Sequence, residues 1–374
     1  MKLLRMLVTC PFIFTTAILT GCSISGIAQN STGTKTAANP HRPKFVLVQQ
    51  YADPVITIHS PGAEDIKYGF EGGRVVKIAG TYHLMTTEMF TEPFSVKTRF
   101  GYWTSHDRIH WKRVSTLLSA ASGDQTGKDP RASLWAPMPI FDEKANRWDL
   151  FYVAYRSQVQ TKPQWLLGYE GRIWRAVSES EGRDGIAGPY HDIGIVLEPG
   201  RDSDSWEGLQ GTDSFFAYPA AGRWYGIYGT AHTEKLPVSA WQVGLASAPD
   251  IGGPWKRCSE LNPMPLKKVF AENPLVERLD DGSYAAVYDS NIANTIGYTW
   301  SADGMHWGEG EEIVVQPNGD GKWADEVRTP LGLIPEGHNT FTVFYTGGHK
   351  RNLVNPEARP WQMWSVGFVT VKQE

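Results

Sequence analysis

The sequence predicts an all-β fold, a five-bladed β-propeller. Three observations lead there: a composition dominated by rings and turn formers, a strand–turn–strand unit that recurs five times, and no helical periodicity between the units. Trp, Tyr and Phe occur 15 times each in 374 residues, beside 38 Gly and 24 Pro. Rings and turn formers at this density oppose a helical bundle, which would be rich in Ala, Leu, Glu and Lys. A hydrophobic content of 41% excludes disorder for most of the chain. The net charge of −4, with no long run of one sign, offers no basic face to phosphate, so nucleic acid is excluded as a main partner.

Each unit pairs a short apolar strand with an aromatic-rich one across a turn. The first is Arg74-Val-Val-Lys-Ile78 with Thr81-Tyr-His-Leu-Met85, and the second is Met138-Pro-Ile-Phe141 with Arg147-Trp-Asp-Leu-Phe-Tyr-Val153. Ser214-Phe-Phe-Ala217 precedes Arg223-Trp-Tyr-Gly-Ile-Tyr228 in the third, and Pro274-Leu-Val-Glu277 precedes Ser283-Tyr-Ala-Ala-Val-Tyr288 in the fourth. The fifth joins Pro330-Leu-Gly-Leu333 to Thr340-Phe-Thr-Val-Phe-Tyr345. Self-similarity at this spacing is the mark of a repeat architecture.

A third strand closes each unit, and the ends of these strands also repeat. Tyr102-Trp-Thr-Ser-His-Asp-Arg-Ile-His-Trp111 and Tyr298-Thr-Trp-Ser-Ala-Asp-Gly-Met-His-Trp307 are near copies, in which Asp and Gly suit a turn and the last Trp packs back on the sheet. Leu245 to Trp255 and Ala176 to Tyr190 form a related pair. Units of three or four antiparallel strands with no helices between them read as propeller blades rather than a two-sheet sandwich. Phe45-Val-Leu-Val48 is placed to add a strand that helps close the ring.

The N-terminus carries an address. Lys2 and Arg5 precede a mostly apolar run from Met6 to Leu19, too short for a spanning helix and suited to a signal peptide over residues 1–21. Its end, Leu19-Thr20-Gly21-Cys22, looks like a bacterial lipobox, in which Cys22 is lipidated and becomes the new N-terminus. Residues 22–43 then form a flexible tether and residues 44–374 a single catalytic domain. The expected location is the bacterial cell envelope, lipid-anchored and facing the periplasm or the surface, with a monomer expected. Cys10 would be removed with the signal peptide, so Cys258 would have no partner and would serve as a small buried side chain.

In a propeller the first strand of each blade lines the central channel, so residues just before these strands gather at one mouth. Those positions are Glu71, Trp135, Asp213, Glu272 and Glu326, four carboxylates and a ring drawn from distant parts of the sequence. Facing carboxylates beside an aromatic wall suit glycosidic-bond cleavage, in which one acid protonates the leaving oxygen and another activates water or attacks the sugar. A third acid nearby raises the pKa of the first by like-charge repulsion.

The same residues resemble glycoside hydrolase family 43 and its five-bladed relatives, families 32, 68, 117 and 130, over about residues 65–348. Gly211-Thr-Asp-Ser-Phe-Phe216 is similar to the segment whose Asp orients the acid and tunes its pKa, a role the resemblance gives to Asp213. Ala271-Glu-Asn-Pro-Leu-Val276 resembles the segment of the general acid, which points to Glu272. Leu134-Trp-Ala-Pro137 resembles the second-blade motif whose ring borders substrate. The first blade departs from the pattern: Phe70-Glu-Gly-Gly-Arg74 stands where family 43 places an Asp, so Glu71 is the nearest equivalent of the base, with Asp65 and Asp53 as further candidates. The Asn-Asp-Pro signature of family 32 is absent.

Arg131 and Arg328 are read as facing the funnel, either binding the sugar or pairing with local acids. Trp103, Trp174, Trp206, Trp241 and Trp323 include candidate stacking platforms among what are mostly packing residues. The resemblance requires no cofactor. It admits a structural Ca²⁺ near the channel, with His232 and His349 as the histidines in place and ordinary hydrogen bonding as their other reading. The implied function is an exported hydrolase that cleaves a plant, algal or microbial glycan with inversion. The alternatives are a phosphorylase like family 130, with Arg131 and Arg328 as phosphate ligands, and a non-catalytic glycan-binding lipoprotein.

Overall fold

A computed structural model describes residues 42–90, 97–120, 129–157, 168–232, 240–266, 270–292, 294–315, 323–324, 326–351 and 361–374. The signal peptide, Cys22 and nearly all of the tether lie outside the described residues. The fold is all-β: two short 3-10 turns are the only helical elements described.

Strand β1 covers Phe45–Gln50, followed by β2 Gly69–Ile78, β3 Thr81–Met89, β4 Thr98–Ser105 and β5 Lys112–Ser119. Next come β6 Ser133–Asp142, β7 Arg147–Ser157, β8 Gly168–Ser178 and β9 Tyr190–Leu197, then β10 Asp213–Ala220, β11 Arg223–Ala231, β12 Trp241–Ala248 and β13 Lys256–Arg257. The last two groups are β14 Glu272–Arg278, β15 Tyr284–Asp289, β16 Thr295–Ser301 and β17 Glu311–Val314, and β18 Glu326–Gly337, β19 Thr340–Arg351 and β20 Trp361–Gln373. Three of the groups are separate four-stranded sheets, β6 to β9, β10 to β13 and β14 to β17. The first and last groups share one eight-stranded sheet, in which β20 takes β1 on one side and meets β2 through a single parallel pair, Gly69 with Trp364.

Burial along each strand follows its place in the sheet. The leading strands β6, β10 and β14 are buried almost continuously because both faces are covered, whereas the last strand β5 alternates exposed and half-buried residues. Along these leading strands β2 packs on β6, β6 on β10, β10 on β14, β14 on β18 and β18 on β2. The repeated turns are built alike. Asp107 Oδ1 accepts from the N–H groups of Ile109 and His110, and Asp303 Oδ1 from those of Met305 and His306, all within 2.9 Å. Trp111 and Trp307 then turn back into the core. Cys258 is buried and free.

One irregularity positions the site. In four leading strands the register slips directly after the expected functional residue, Glu71, Trp135, Asp213 and Glu272, and in β18 it slips one residue later, after Val327. The next residue takes a left-handed backbone in four of the five, Gly72, Ala136, Ser214 and Asn273, with φ from 37° to 64°. A non-glycine residue held there costs on the order of 1 kcal/mol or more. The bulge ends regular pairing and re-aims the side chain before it.

Candidate active site

Arg328 on β18 is the hub of a charged cluster. Its Nη2 stands 2.7 Å from Glu272 Oε2 and its Nε 3.2 Å from Glu71 Oε1, and its Nη1 donates to Asp289 Oδ2. Strands β2, β14 and β15 thereby each deliver a carboxylate to one guanidinium. Asp289 ends β15 directly opposite Glu272 in the register, and its Oδ1 accepts from the Asn291 N–H at 2.8 Å. Asp213, at the start of β10, accepts a hydrogen bond from the Tyr155 hydroxyl, which in turn accepts one at 2.8 Å from Gln210 Nε2. Phe270 lies under the guanidinium, 5.6 Å from its centre, and Trp241 packs on Phe270.

Burial and charge divide these acids. Asp213 is buried and its carboxyl is pushed up to about 6, first by desolvation and also by the charge of Glu71, against the Tyr155 and Ser214 hydrogen bonds. Asp289 is likewise pushed up to about 6 by burial, against the pull of Arg328. Glu272 rises furthest: burial lifts it well above the carboxylate range, Arg328 opposes this, and the negative charges of Asp213, Asp289 and Glu71 add to it. Burial works against the charge of Arg328, yet its three carboxylates hold it cationic beyond the ordinary guanidinium value. Of these acids, Glu272 is the one whose surroundings most favour the protonated form.

The expected residues fall into two sets. Glu71, Asp213, Glu272 and Arg328 belong to this cluster, while Trp135 is half-buried between Tyr68, Met89 and Trp364 beside the same bulge. In β18 it is Arg328 that meets the acids, and Glu326 is a half-buried residue at the head of the strand. Arg131 does not face the cluster in its described contacts. It pairs with Asp192, donates to Tyr152 at 3.2 Å and lies over Trp174. Asp65 forms a two-bonded pair with Arg99 at 2.6 and 2.7 Å, which assigns it to a buttress around the fully buried Glu88, and Asp53 is an exposed loop residue. Trp103 is buried with its Nε1 donating to Glu88, and Trp323 is buried against Tyr345, so both are packing residues. His232 Nε2 lies 3.1 Å from the Trp206 carbonyl, and the side chain of His349 is outside the described residues.

No protein-family model matches the chain, and no curated protein matches it. Solved structures do. A family 117 glycoside hydrolase from the marine bacterium Zobellia galactanivorans superposes with a TM-score of 0.56 at 15% identity, over 88% of this chain and 90% of its own. A thermostable family 43 glycoside hydrolase gives 0.53 at 16%, over 82% and 93%. The chain shares its fold with glycoside hydrolases. A third structure gives 0.53 at 12%, over 89% and 95%; it comes from family 130, described as mannoside phosphorylases containing glycoside hydrolases that target β-1,2 mannosidic linkages in Candida mannan. At such identities the likeness is one of fold, and the chemistry rests on the side chains above.

Proposed function

We propose that this chain is an exported glycoside hydrolase on a five-bladed propeller, anchored through Cys22 and acting on a plant, algal or microbial glycan. The observation that carries the reading is the meeting of Glu71, Glu272 and Asp289 on Arg328, with Glu272 the acid whose surroundings most favour a bound proton. Glu272 gives that proton to the glycosidic oxygen as the bond to the anomeric carbon breaks, and the leaving sugar keeps the electron pair. Glu71 takes a proton from the water that attacks the same carbon from the other face, so the configuration inverts. Asp213, oriented by Tyr155, supports the acid by raising the Glu272 pKa. Exchange with solvent then returns a proton to Glu272 and removes one from Glu71.

A phosphorylase reading needs a cation free to receive phosphate. Arg328 already serves three carboxylates, and Arg131 is paired with Asp192, which supports water as the nucleophile. The test is a glycan panel with analysis of the released sugars, run with Glu272→Gln and Asp213→Asn. Both variants are expected to keep the fold and lose about 10²- to 10⁴-fold in rate. Full activity in both, or cleavage that needs added phosphate, would overturn the assignment. Glycan binding without cleavage by the unaltered chain would leave it a binding lipoprotein.

A further inference from the structure

The leading strands run on past the acids to a second cavity of about 460 Å³. Arg74 of β2, Phe141 of β6, Phe216 of β10 and Glu277 of β14 line it, with Trp224 of β11 on the wall. Arg74 follows Glu71 by three residues and Glu277 follows Glu272 by five. At about 3.3 Å per residue the cavity lies roughly 10–17 Å along the strands from the acid cluster. The two places share no side chain.

Eight charged side chains line the cavity: Lys144 pairs with Asp250 and Arg183 with Glu143, Asp142 accepts from the Lys144 N–H, Arg278 is exposed, and Arg74 and Glu277 are incompletely used. Arg74 donates to the Pro139 carbonyl through Nη1 at 2.6 Å and rests 4.7 Å above the Phe216 ring. Its Nε and Nη2 meet no described acceptor, and Glu277 makes no hydrogen bond or ion pair among the described residues. Both side chains are half-buried, and the cavity is what they face. Burial pushes the Glu277 carboxyl up to about 7, with Arg74 opposing, and brings Arg74 down to about 10. Arg74 thus offers a cation and Glu277 a carboxyl that accepts or donates near neutral pH, beside the rings of Phe141, Phe216 and Trp224 and the charges already paired on the wall.

This combination selects a ligand. A carboxylate ligand would meet Glu277 and an ammonium would meet Arg74, so either charge encounters its like. A hydroxyl both donates and accepts, and it satisfies both walls at once. A ring with hydroxyls at its rim and C–H bonds on its face also covers Trp224 or Phe216. Concave sites of this size with polar groups beside aromatic rings are suited to small molecules. We propose that this cavity is a second ligand site, for a neutral saccharide of one or two rings, at the end of the leading strands opposite the acids. It stands whether or not the acids cleave glycans.

The test is ligand-observed NMR titration of the full chain with D-glucose, D-galactose, D-mannose, D-xylose, L-arabinose and their β-linked disaccharides. D-glucuronate and D-glucosamine serve as charged controls. At least one neutral sugar is expected to bind about tenfold more weakly to Glu277→Leu and to Trp224→Ala, the weight of one lost polar or stacking group. Binding of that sugar to Glu272→Gln should be unchanged. Circular dichroism and the melting temperature establish that each variant is folded, and Trp224→Ala carries the test if Glu277→Leu is not. Loss of binding in Glu272→Gln alone, preference for a charged control, or no neutral sugar sensitive to Glu277 and Trp224 overturns the proposal.

Discussion

Arg328 Nη2 lies 2.7 Å from Glu272 Oε2, and Nε of the same guanidinium reaches Glu71 Oε1 at 3.2 Å. One cation therefore spans the two carboxyls assigned to opposite duties. Near-identical carboxyls acquire different duties only when their surroundings separate their proton affinities. Here burial and the surrounding acids raise Glu272, while Arg328 limits the rise.

Replacing that cation should be costly in two ways. Arg328→Met leaves Glu71, Glu272 and Asp289 crowded without their counter-ion, and breaking a buried pair costs about 3–5 kcal/mol. The acids would take up protons at neutral pH to relieve the repulsion, so the base would be lost. Activity is expected to fall at least about 100-fold, with the acid limb of the pH–rate profile moved to higher pH. Arg328→Lys should recover part of the stability and less of the activity, because an ammonium cannot match three directions of a planar fork. Chemical denaturation and a pH–rate series on all three proteins check both statements. An unshifted acid limb in Arg328→Met would sink the electrostatic account.

Tyr155→Phe tests Asp213 without touching its carboxyl. The Tyr155 hydroxyl donates to Asp213 and so lowers its pKa, against the burial that raises it to about 6. Loss of that donor should move Asp213 above 6. The limb of the pH–rate profile that reports its ionisation would follow toward alkaline pH. Gln210 Nε2 also loses its acceptor, for a stability cost of about 1–3 kcal/mol. A loss of stability with an unmoved profile would make Tyr155 a packing residue only.

How much of the site is legible in the sequence depends on where each residue sits in its repeated unit. Glu71, Asp213 and Glu272 each begin or lead into the apolar strand of a repeated unit, so aligning the units exposes them together. Asp289 and Tyr155 lie at the far ends of second strands, opposite Glu272 and Ser133 in the register. Reading across the hairpin from Glu272 finds Asp289, whereas Trp135 faces Val153 and Tyr155 lies two register positions further on. In β18 the slip after Val327 brings Arg328 to the acids in place of Glu326, and a bulge of that kind has no signature in a pattern of apolar residues. Arg131 escapes such a reading because its partner Asp192 belongs to the outermost strand of its sheet, a contact no local spacing shows.

The seam between the first and last groups of strands is a point of fragility. Gly69 has φ 87°, and a Cβ there would lie 1.9 Å from the Trp364 carbonyl oxygen, its partner in the single parallel pair joining β2 to β20. Neither the backbone angle nor the contact tolerates a methyl group. Gly69→Ala is expected to destabilise the fold by about 3 kcal/mol or more. Gly80, in the turn after β2, has φ 83°, and a methyl group there would meet no atom within 4 Å. Gly80→Ala should therefore cost only the backbone strain, on the order of 1 kcal/mol. Parallel urea titrations of the two variants check the contrast, and equal losses would show that the seam contact carries no weight.

Glu277 gives the cleanest dependence of stability on pH, because it sits apart from the coupled acids. Burial raises its folded pKa from the ordinary 4.5 to about 7. The folded state therefore prefers the neutral carboxyl. That preference is fully met below about pH 4.5 and is lost as the pH rises through 7. Glu277→Gln keeps a neutral side chain at every pH. The variant and the parent should then melt together at pH 4.5, diverge between pH 5 and 7, and differ by up to about 3 kcal/mol above pH 8, with the variant more stable. Melting curves at half-unit intervals from pH 4.5 to 8.5 follow the divergence, and a difference that stays constant across that range would mean that Glu277 keeps its proton affinity on folding.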